Sequence, residues 1–306
     1  MDRDQSTADT AEIPVVTALS EALGPDTGSA RVQVDLAALT HRGLVRSANE
    51  DHYLVMRFGR TLETLLTSLP ADQVPPRSEE VGYGLLVADG VGGAVAGEMA
   101  SRLALSTLVG LLLHTPDWIL SEEAKDVEQV MQRMAERYRR VHAALRDQGL
   151  ADPHLAGMST TMTLACSLGG SAVIGHIGDS RAYLFRNGEL HQLTRDHTWV
   201  QVLVDRGHVA AEEAARHPMR HVLLRFLGGK ERNVEGDFQR AWLADGDQLL
   251  LCTDGLTNMV DDAAIASLLG GAATSDEACQ ALVAAALAKG GQDNVTVALA
   301  RYRFAQ

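Results

Sequence analysis

Five aspartates, Asp51, Asp89, Asp179, Asp254 and Asp293, stand where an apolar strand is expected to meet a turn. Their frames are Asn49-Glu50-Asp51, Ala88-Asp89-Gly90-Val91-Gly92-Gly93, Gly178-Asp179-Ser180-Arg181, Thr253-Asp254-Gly255 and Asp293-Asn294. A carboxylate at a strand end is rigidly placed and is expected to stay unburied. Carboxylates that converge repel one another unless positive charge lies between them. Hard divalent cations, which prefer oxygen ligands, are the simplest remedy. The pattern points to metal-assisted hydrolysis.

Singly, each Asp-Gly is only a turn signal, because Asp binds its own backbone and Gly supplies a positive φ. Asp89 and Asp254 differ in closing the strongly apolar runs Leu85–Ala88 and Leu249–Cys252. The glycine after each is expected to let a carbonyl turn toward a cation. Asp293 precedes the strand Val295–Arg303 and so reaches a sheet rim as well.

The elements that must position these residues follow from periodicity. Residues 1–30 are polar, small and acidic and read as a flexible extension, with the globular part starting near Arg31. Strands are expected from Val32, over Tyr53–Met56, Leu85–Ala88, Thr160–Ser167, Ala172–Ile177, Ala182–Arg186, Leu190–Leu193 and Leu249–Cys252, and at Val295–Arg303. Gly169-Gly170 and Asn187-Gly188 mark hairpins. Helices are expected over Gly97–His114, from Val127 to a stop at Gly149, and over Asp262–Leu269 and Asp276–Lys289. Residues 59–80 read as an inserted loop with a short helix around Leu62–Leu69, and 196–230 as mixed helix and loop. Hairpin-linked strands with helices in adjacent pairs predict an α+β fold of antiparallel sheets covered by helices.

Composition narrows the function. The 306 residues carry 40 acidic and 27 basic side chains, a formal charge of -13, which argues against nucleic acid as a partner. Cys166, Cys252 and Cys279 form no CxxC and read as buried thiols in a reducing compartment. Met1-Asp2-Arg3-Asp4 has no signal-peptide pattern, and the apolar stretch Leu103–Leu113 is too short to span a bilayer, so a cytoplasmic location is expected. The 11 histidines show no convincing helical metal pair and read as structural or surface residues. Arg181 is expected to pair with a nearby carboxylate, and Arg137, Arg139 and Arg140 to form a solvated helix face.

Joined in order, the motifs resemble the PPM, or type 2C, metal-dependent serine/threonine protein phosphatases in their bacterial form. The matching pieces are Arg42–Asp51, Val87–Gly93 with Gly97-Glu98, Gly157–Thr161, Gly178–Leu184, Leu193–His197, Leu251–Leu256 and Gly290–Thr296. The resemblance implies a four-layer α-β-β-α sandwich, two antiparallel sheets flanked by helix pairs, over residues 31–306 with a flap at 196–230. It implies two Mn²⁺ or Mg²⁺ ions, possibly a third. Asp89 would bridge the pair; the Gly90 carbonyl and Asp51, with Glu50 through water, would complete one shell. Asp254 and Asp293 would hold the other ion, and Asp179 a third, weaker one. Arg46 would grip the substrate phosphate with its planar fork, a structural ion pair being its competing role. A bridging water activated by the ions would attack phosphorus, with no covalent phospho-enzyme.

The chain departs from the family pattern at one mechanistic position. Many eukaryotic members carry a histidine directly after the Asp-Gly pair, proposed as proton donor; here Val91 stands there. A metal-bound water is expected to protonate the leaving alkoxide instead. Ser159, Leu224 and Phe226 are smaller departures bearing on substrate preference. Phosphorylated proteins, bacterial-type Ser/Thr kinases and the substrates of those kinases are the expected partners of a monomeric enzyme. Neither nucleic acid nor membrane is an expected partner, and regulation is expected from outside the domain. A catalytically silent regulator would be marked by a lost metal carboxylate, and a two-metal nuclease or phosphodiesterase by histidine-rich metal motifs; neither mark is present.

Overall fold

Leu249, Leu250, Leu251 and Cys252 are all fully buried, yet successive strand side chains point to opposite faces. This strand must therefore be covered on both sides. Leu249 and Leu251 join a cluster with Leu85, Val87, Ile174 and Ala298. Leu250 and Cys252 join another with Ile265, Leu269 and Leu282. Leu85–Ala88 divides in the same way: Leu86 and Ala88 pack with Ala100, Leu108 and Tyr138. Three apolar layers thus separate four layers of structure. Truncating one of these core leucines to alanine would cost about 2–5 kcal/mol.

The computed structural model describes residues 32–70, 72–114, 124–214 and 216–304. The extension expected over 1–30 lies outside the described residues. In chain order the first elements are β1 (Val32–His41), β2 (Asp51–Glu63), β3 (Arg77–Val91), α1 (Ala94–His114) and α2 (Ala124–Ala151). Then come β4 (Ser159–Thr160), β5 (Met162–Leu168), β6 (Ser171–Ile177), β7 (Arg181–Arg186), β8 (Glu189–Gln192), α3 (Trp199–Asp205) and α4 (Ala211–Ala214). The last are β9 (Leu227–Gly228), β10 (Asp237–Trp242), β11 (Gln248–Cys252), α5 (Asp254–Thr257), α6 (Asp262–Gly271), α7 (Ser275–Ala288) and β12 (Val295–Phe304). One sheet runs β1-β12-β11-β7-β8; the other runs β10-β6-β5-β3-β4-β9 with β2 added on β3. All pairings are antiparallel. Helices α1 and α2 cover one outer face and α6 and α7 the other, the α+β arrangement expected.

Several expectations are corrected. No helix forms around Leu62–Leu69; β2 and β3 instead extend as a long hairpin into 59–63 and 77–80, with 64–76 between their ends. Cross-strand charge supports the extension: Arg60 faces Glu80 in register and bonds it, and Arg57 reaches Glu79. Helix α2 runs through Gly149 and ends before Pro153, which cannot continue it. Gly149 has a packing role, since a Cβ there would lie 3.0 Å from the Leu155 carbonyl oxygen. Arg137 is buried, whereas Arg139 and Arg140 are exposed and pair with Glu136. Strand β10 was not anticipated. Val95–His114 is long and apolar enough to cross a membrane, but Ala96, Ala100, Ala104 and Leu108 lie buried in the helix–sheet core.

Candidate active site

The carboxylates gather where several strand ends meet. Asp51 opens β2 and stands directly opposite Asp89 near the end of β3. Like charges in that relation are destabilising. Asp254 begins α5 just beyond β11, and Asp179 lies in the turn between β6 and β7. One carboxylate oxygen from each of Asp89, Asp179 and Asp254 lies within 4.8 Å of the others. These three line a cavity of about 470 Å³ with Glu50, Gly90, Arg46 and Asp293. Arg220, His221 and Leu223, all from the 196–230 segment expected to form a flap, line it too.

Asp51 lies beneath this cluster, 3% exposed. Its Oδ2 accepts from the Thr253 hydroxyl at 2.8 Å and the Thr296 hydroxyl at 2.7 Å. Its Oδ1 is buried and has no hydrogen-bond partner. Asp179 is buried as well, so the expectation of unburied carboxylates fails for both. Burial pushes the Asp51 carboxyl up to about 7. Burial, then the charges of Asp51, Asp254, Asp179 and Asp293, holds Asp89 well above the carboxylate range. Burial and the Asp254 charge do the same for Asp179. A group of oxygen donors that cannot comfortably hold its negative charge, above an unpartnered buried oxygen, fits hard divalent cations.

Asp293 is not one of the three converging carboxylates. Its Oδ2 accepts from Arg46 Nη2 at 2.7 Å and its Oδ1 from the Asn294 N–H at 2.9 Å. That bond, then the charges of Asp293, Glu50 and Asp254, raises the guanidinium pKa of Arg46 against the opposing effect of burial. Burial raises the Glu50 carboxyl.

Not all of these glycines adopt the positive φ expected of a turn. Neither Gly90 nor Gly255 has a positive φ. A Cβ on Gly90 would lie 2.1 Å from the Gly97 carbonyl oxygen, and one on Gly255 1.9 Å from that of Asn294. Both glycines permit close approach of a second backbone. A Cβ on Gly97 would strike the Glu50 carboxylate, so Gly97 gives that side chain its place. Gly92 and Gly93 do adopt positive φ.

Sequence reasoning assigned no role to the residues that aim the carboxylates. Thr160 Oγ1 donates to the Asp89 carbonyl at 2.7 Å, and the Asp89 N–H donates to Thr161 Oγ1 at 3.0 Å. Asn294 donates to the Arg42 and Ala48 carbonyls and accepts from the Glu50 N–H, so it fastens the Arg46 loop to β12. Polar residues inside apolar strand runs, Thr253 and Thr296 above all, were the available signal. Arg181 pairs with Asp196, as expected, through two bonds of 2.9 and 2.8 Å.

Residues 72–290 match the family described as Protein phosphatase 2C, and the chain belongs to that family. Serine/threonine protein phosphatase PstP of Mycobacterium tuberculosis is 37% identical over 264 residues, 86% of this chain and 44% of that protein. The chain thus spans less than half of that relative. Serine/threonine phosphatase stp of Listeria innocua is 36% identical over 222 residues, 72% of this chain and 85% of that protein. The crystal structure of M. tuberculosis PstP/Ppp superposes with a TM-score of 0.70 at 36% identity, covering 88% of this chain and 99% of that one. That of the PstP catalytic domain in complex with 2 manganese ions superposes with a TM-score of 0.69 at 34% identity, covering 89% and 99%.

Proposed function

We propose that the chain hydrolyses phosphoserine and phosphothreonine in proteins with the help of Mn²⁺ or Mg²⁺. The observation that carries this reading is the convergence of Asp89, Asp179 and Asp254 above the unpartnered Oδ1 of Asp51. The manganese in the PstP catalytic domain supports it. Asp89 would be shared by two ions, with Asp51, the Gly90 carbonyl and, through water, Glu50 on one side and Asp254 and Asp293 on the other. Asp179 would hold a third, weaker ion. Such ions neutralise phosphoryl charge and acidify water at neutral pH.

The chain's own residues do the rest. Arg46 is half-exposed at the cavity edge, and its planar fork suits two phosphate oxygens. Gly92 and Gly93, without side chains in the cavity lining, leave room for a phosphoryl group against the backbone. Val91 has no proton to give, so solvent in the cavity protonates the leaving alkoxide. In this reading the phosphoryl group passes directly to water without a covalent phospho-enzyme. His221 is the histidine of the lining. If His221→Ala abolished an acidic limb of the pH–rate profile for poor leaving groups, that assignment of the proton would be wrong.

The setting we infer is signalling: a cytoplasmic monomer opposing bacterial-type Ser/Thr kinases on their substrates. The acidic composition and the buried free thiols support that setting. Hydrolysis of a phosphothreonine peptide tests the whole reading. Activity should require Mn²⁺, vanish in EDTA and be lost in Asp254→Asn. Activity that survives removal of metal would overturn it.

A further inference from the structure

The base of the flap is tied to the Asp179 turn through one buried imidazole. His197 holds Gly178, the residue before Asp179, from two directions. The His197 N–H donates to the Gly178 carbonyl at 2.7 Å, and the Gly178 N–H donates to His197 Nδ1 at 3.1 Å. Because Nδ1 accepts, the ring proton sits on Nε2, which donates to Asp237 Oδ2 at 3.0 Å. Arg225, on the returning limb of the flap, donates to the other oxygen of Asp237 at 3.1 Å. The two limbs of the flap also pair at this point. The Leu224 N–H donates to the His197 carbonyl at 2.7 Å, and the Trp199 N–H to the Val222 carbonyl at 2.8 Å.

The turn being held has little other freedom. Gly178 has φ 114°, and a Cβ there would lie 2.5 Å from Thr161. His197 is 7% exposed, with its ring packed on His176 at 4.8 Å between centroids. A displaced imidazole would therefore shift the Gly178 peptide, and with it the Asp179 carboxylate. The same flap carries Arg220, His221 and Leu223 into the cavity.

We propose that His197 is a positioning residue that sets Asp179 and, through Asp237 and Arg225, makes that setting depend on the placement of the flap. This rests on the reading of Asp179 as a ligand of the weaker ion. Partners that orient metal ligands typically matter by 10–100-fold in affinity when removed.

Calorimetric titration of Mn²⁺ into the chelator-stripped full chain tests the proposal, with Asp179→Asn as reference. Asp179→Asn should weaken or remove the weakest binding event. His197→Ala should weaken that same event by about 10–100-fold and leave the tighter ions within about twofold. His197→Asn, which keeps an acceptor where Nδ1 stands, should recover most of the loss; a residue that only supports folding would show neither the selectivity nor the recovery. If Asp179→Asn weakens the event and a folded His197→Ala does not, the proposal is overturned and the Asp179 assignment stands. If Asp179→Asn changes no binding event, the Asp179 assignment itself falls. Should His197→Ala fail to fold, Asp237→Asn and Arg225→Ala, both at exposed side chains, carry the test. A several-fold loss confined to the weakest ion supports the coupling to the flap, and unchanged binding in both overturns it.

Discussion

The two ends of β11 hold acidic residues in opposite ways. Asp247 precedes the strand with its side chain 1% exposed, and its carboxylate is fully engaged. Arg186 donates to both its oxygens at 2.8 and 2.6 Å, and the Ala244 N–H adds a bond of 2.7 Å. At the far end, Asp254 faces Asp89 and Asp179, with Asp51 beneath them lacking a partner on Oδ1. Arg46, which lines the same cavity, bonds Asp293. The carboxylate before β11 is satisfied by a guanidinium, whereas the one after it, bonded by Asn258 Nδ2 at 2.9 Å, faces two further carboxylates. Folding alone accounts for the first arrangement; the second needs a ligand with positive charge.

The sharpest way to break this contrast is to remove one carboxylate from each end. Asp254→Asn should lower kcat by about 10³-fold, the equivalent of roughly 4 kcal/mol of transition-state stabilisation. Its melting temperature in EDTA should not fall, because one repelling charge is gone. Asp247→Ala should do the reverse. Loss of a buried, charge-assisted contact costs about 2–3 kcal/mol, or roughly 4–10 °C in a domain of this size, with kcat at room temperature unchanged. Thermal melts and peptide hydrolysis on both variants decide the matter. Equal melting losses would mean that the two rims serve the same structural end.

pH should separate the rims next. The Asp51 carboxyl is raised from its usual 3.8 to about 7, mainly by burial, against the pull of Thr296 and Thr253. A raised carboxyl favours the folded state while protonated. Its contribution is complete below the usual value and is lost as pH rises through about 7. Asp89 and Asp179 are raised as well, so the metal-free protein is penalised further at alkaline pH. Cations remove that penalty. The rise in melting temperature on adding Mn²⁺ should therefore be larger at pH 8 than at pH 5.5, and Asp51→Asn should flatten the part centred near pH 7. An equal rise at both pH values would sink the idea.

These contrasts also explain what could be read from the chain. Strands buried on both faces, such as Leu249–Cys252, announce themselves as unbroken apolar runs. The Asn187-Gly188 turn is equally plain, and both residues adopt the positive φ that such a hairpin requires. Strand β10 was hidden because it lies at a sheet edge, polar and half-exposed, with Arg240 stacked 3.6 Å over Trp242. The outer half of the β2–β3 hairpin was hidden because cross-strand ion pairs, Arg57–Glu79 and Arg60–Glu80, rather than apolar alternation, mark its strands. The aspartates were visible through their turn contexts. Their supports were not: Thr253 and Thr296 reach Asp51 across 202 and 245 residues of sequence, and Gly255 is required by the Asn294 backbone. Long-range contacts of that kind leave no local pattern.

A smaller effect is expected at the Arg46–Asp293 pair on the cavity edge. Arg46→Ala removes a charge-assisted bond worth about 1.5–3 kcal/mol, so kcat/KM should fall roughly 10–100-fold. The side chain is 52% exposed, so the melting temperature should barely move. If Arg46 served only as an ion-pair partner of Asp293, kcat/KM would hold while Mn²⁺ affinity rose, since Asp293 would be freed. Arg46→Lys distinguishes a fork from a point charge: it should recover only part of the loss.

The least effect is expected farthest from either rim. The hairpin tip exposes Leu65, Leu66 and Leu69, yet these side chains lie in none of the three core clusters. Glu63 and Arg77 face each other at the end of the ladder, so Asn-Gly in place of residues 64–76 would close the hairpin with a favoured two-residue turn. Shortening a loop changes its closure entropy only slowly with length. The melting temperature should shift by no more than about 1–2 °C. Hydrolysis of a short phosphopeptide should stay within about twofold of the parent. A larger loss on a whole phosphoprotein than on the peptide would place the exposed leucines against the substrate, and a larger loss on both would tie the tip to the cavity itself.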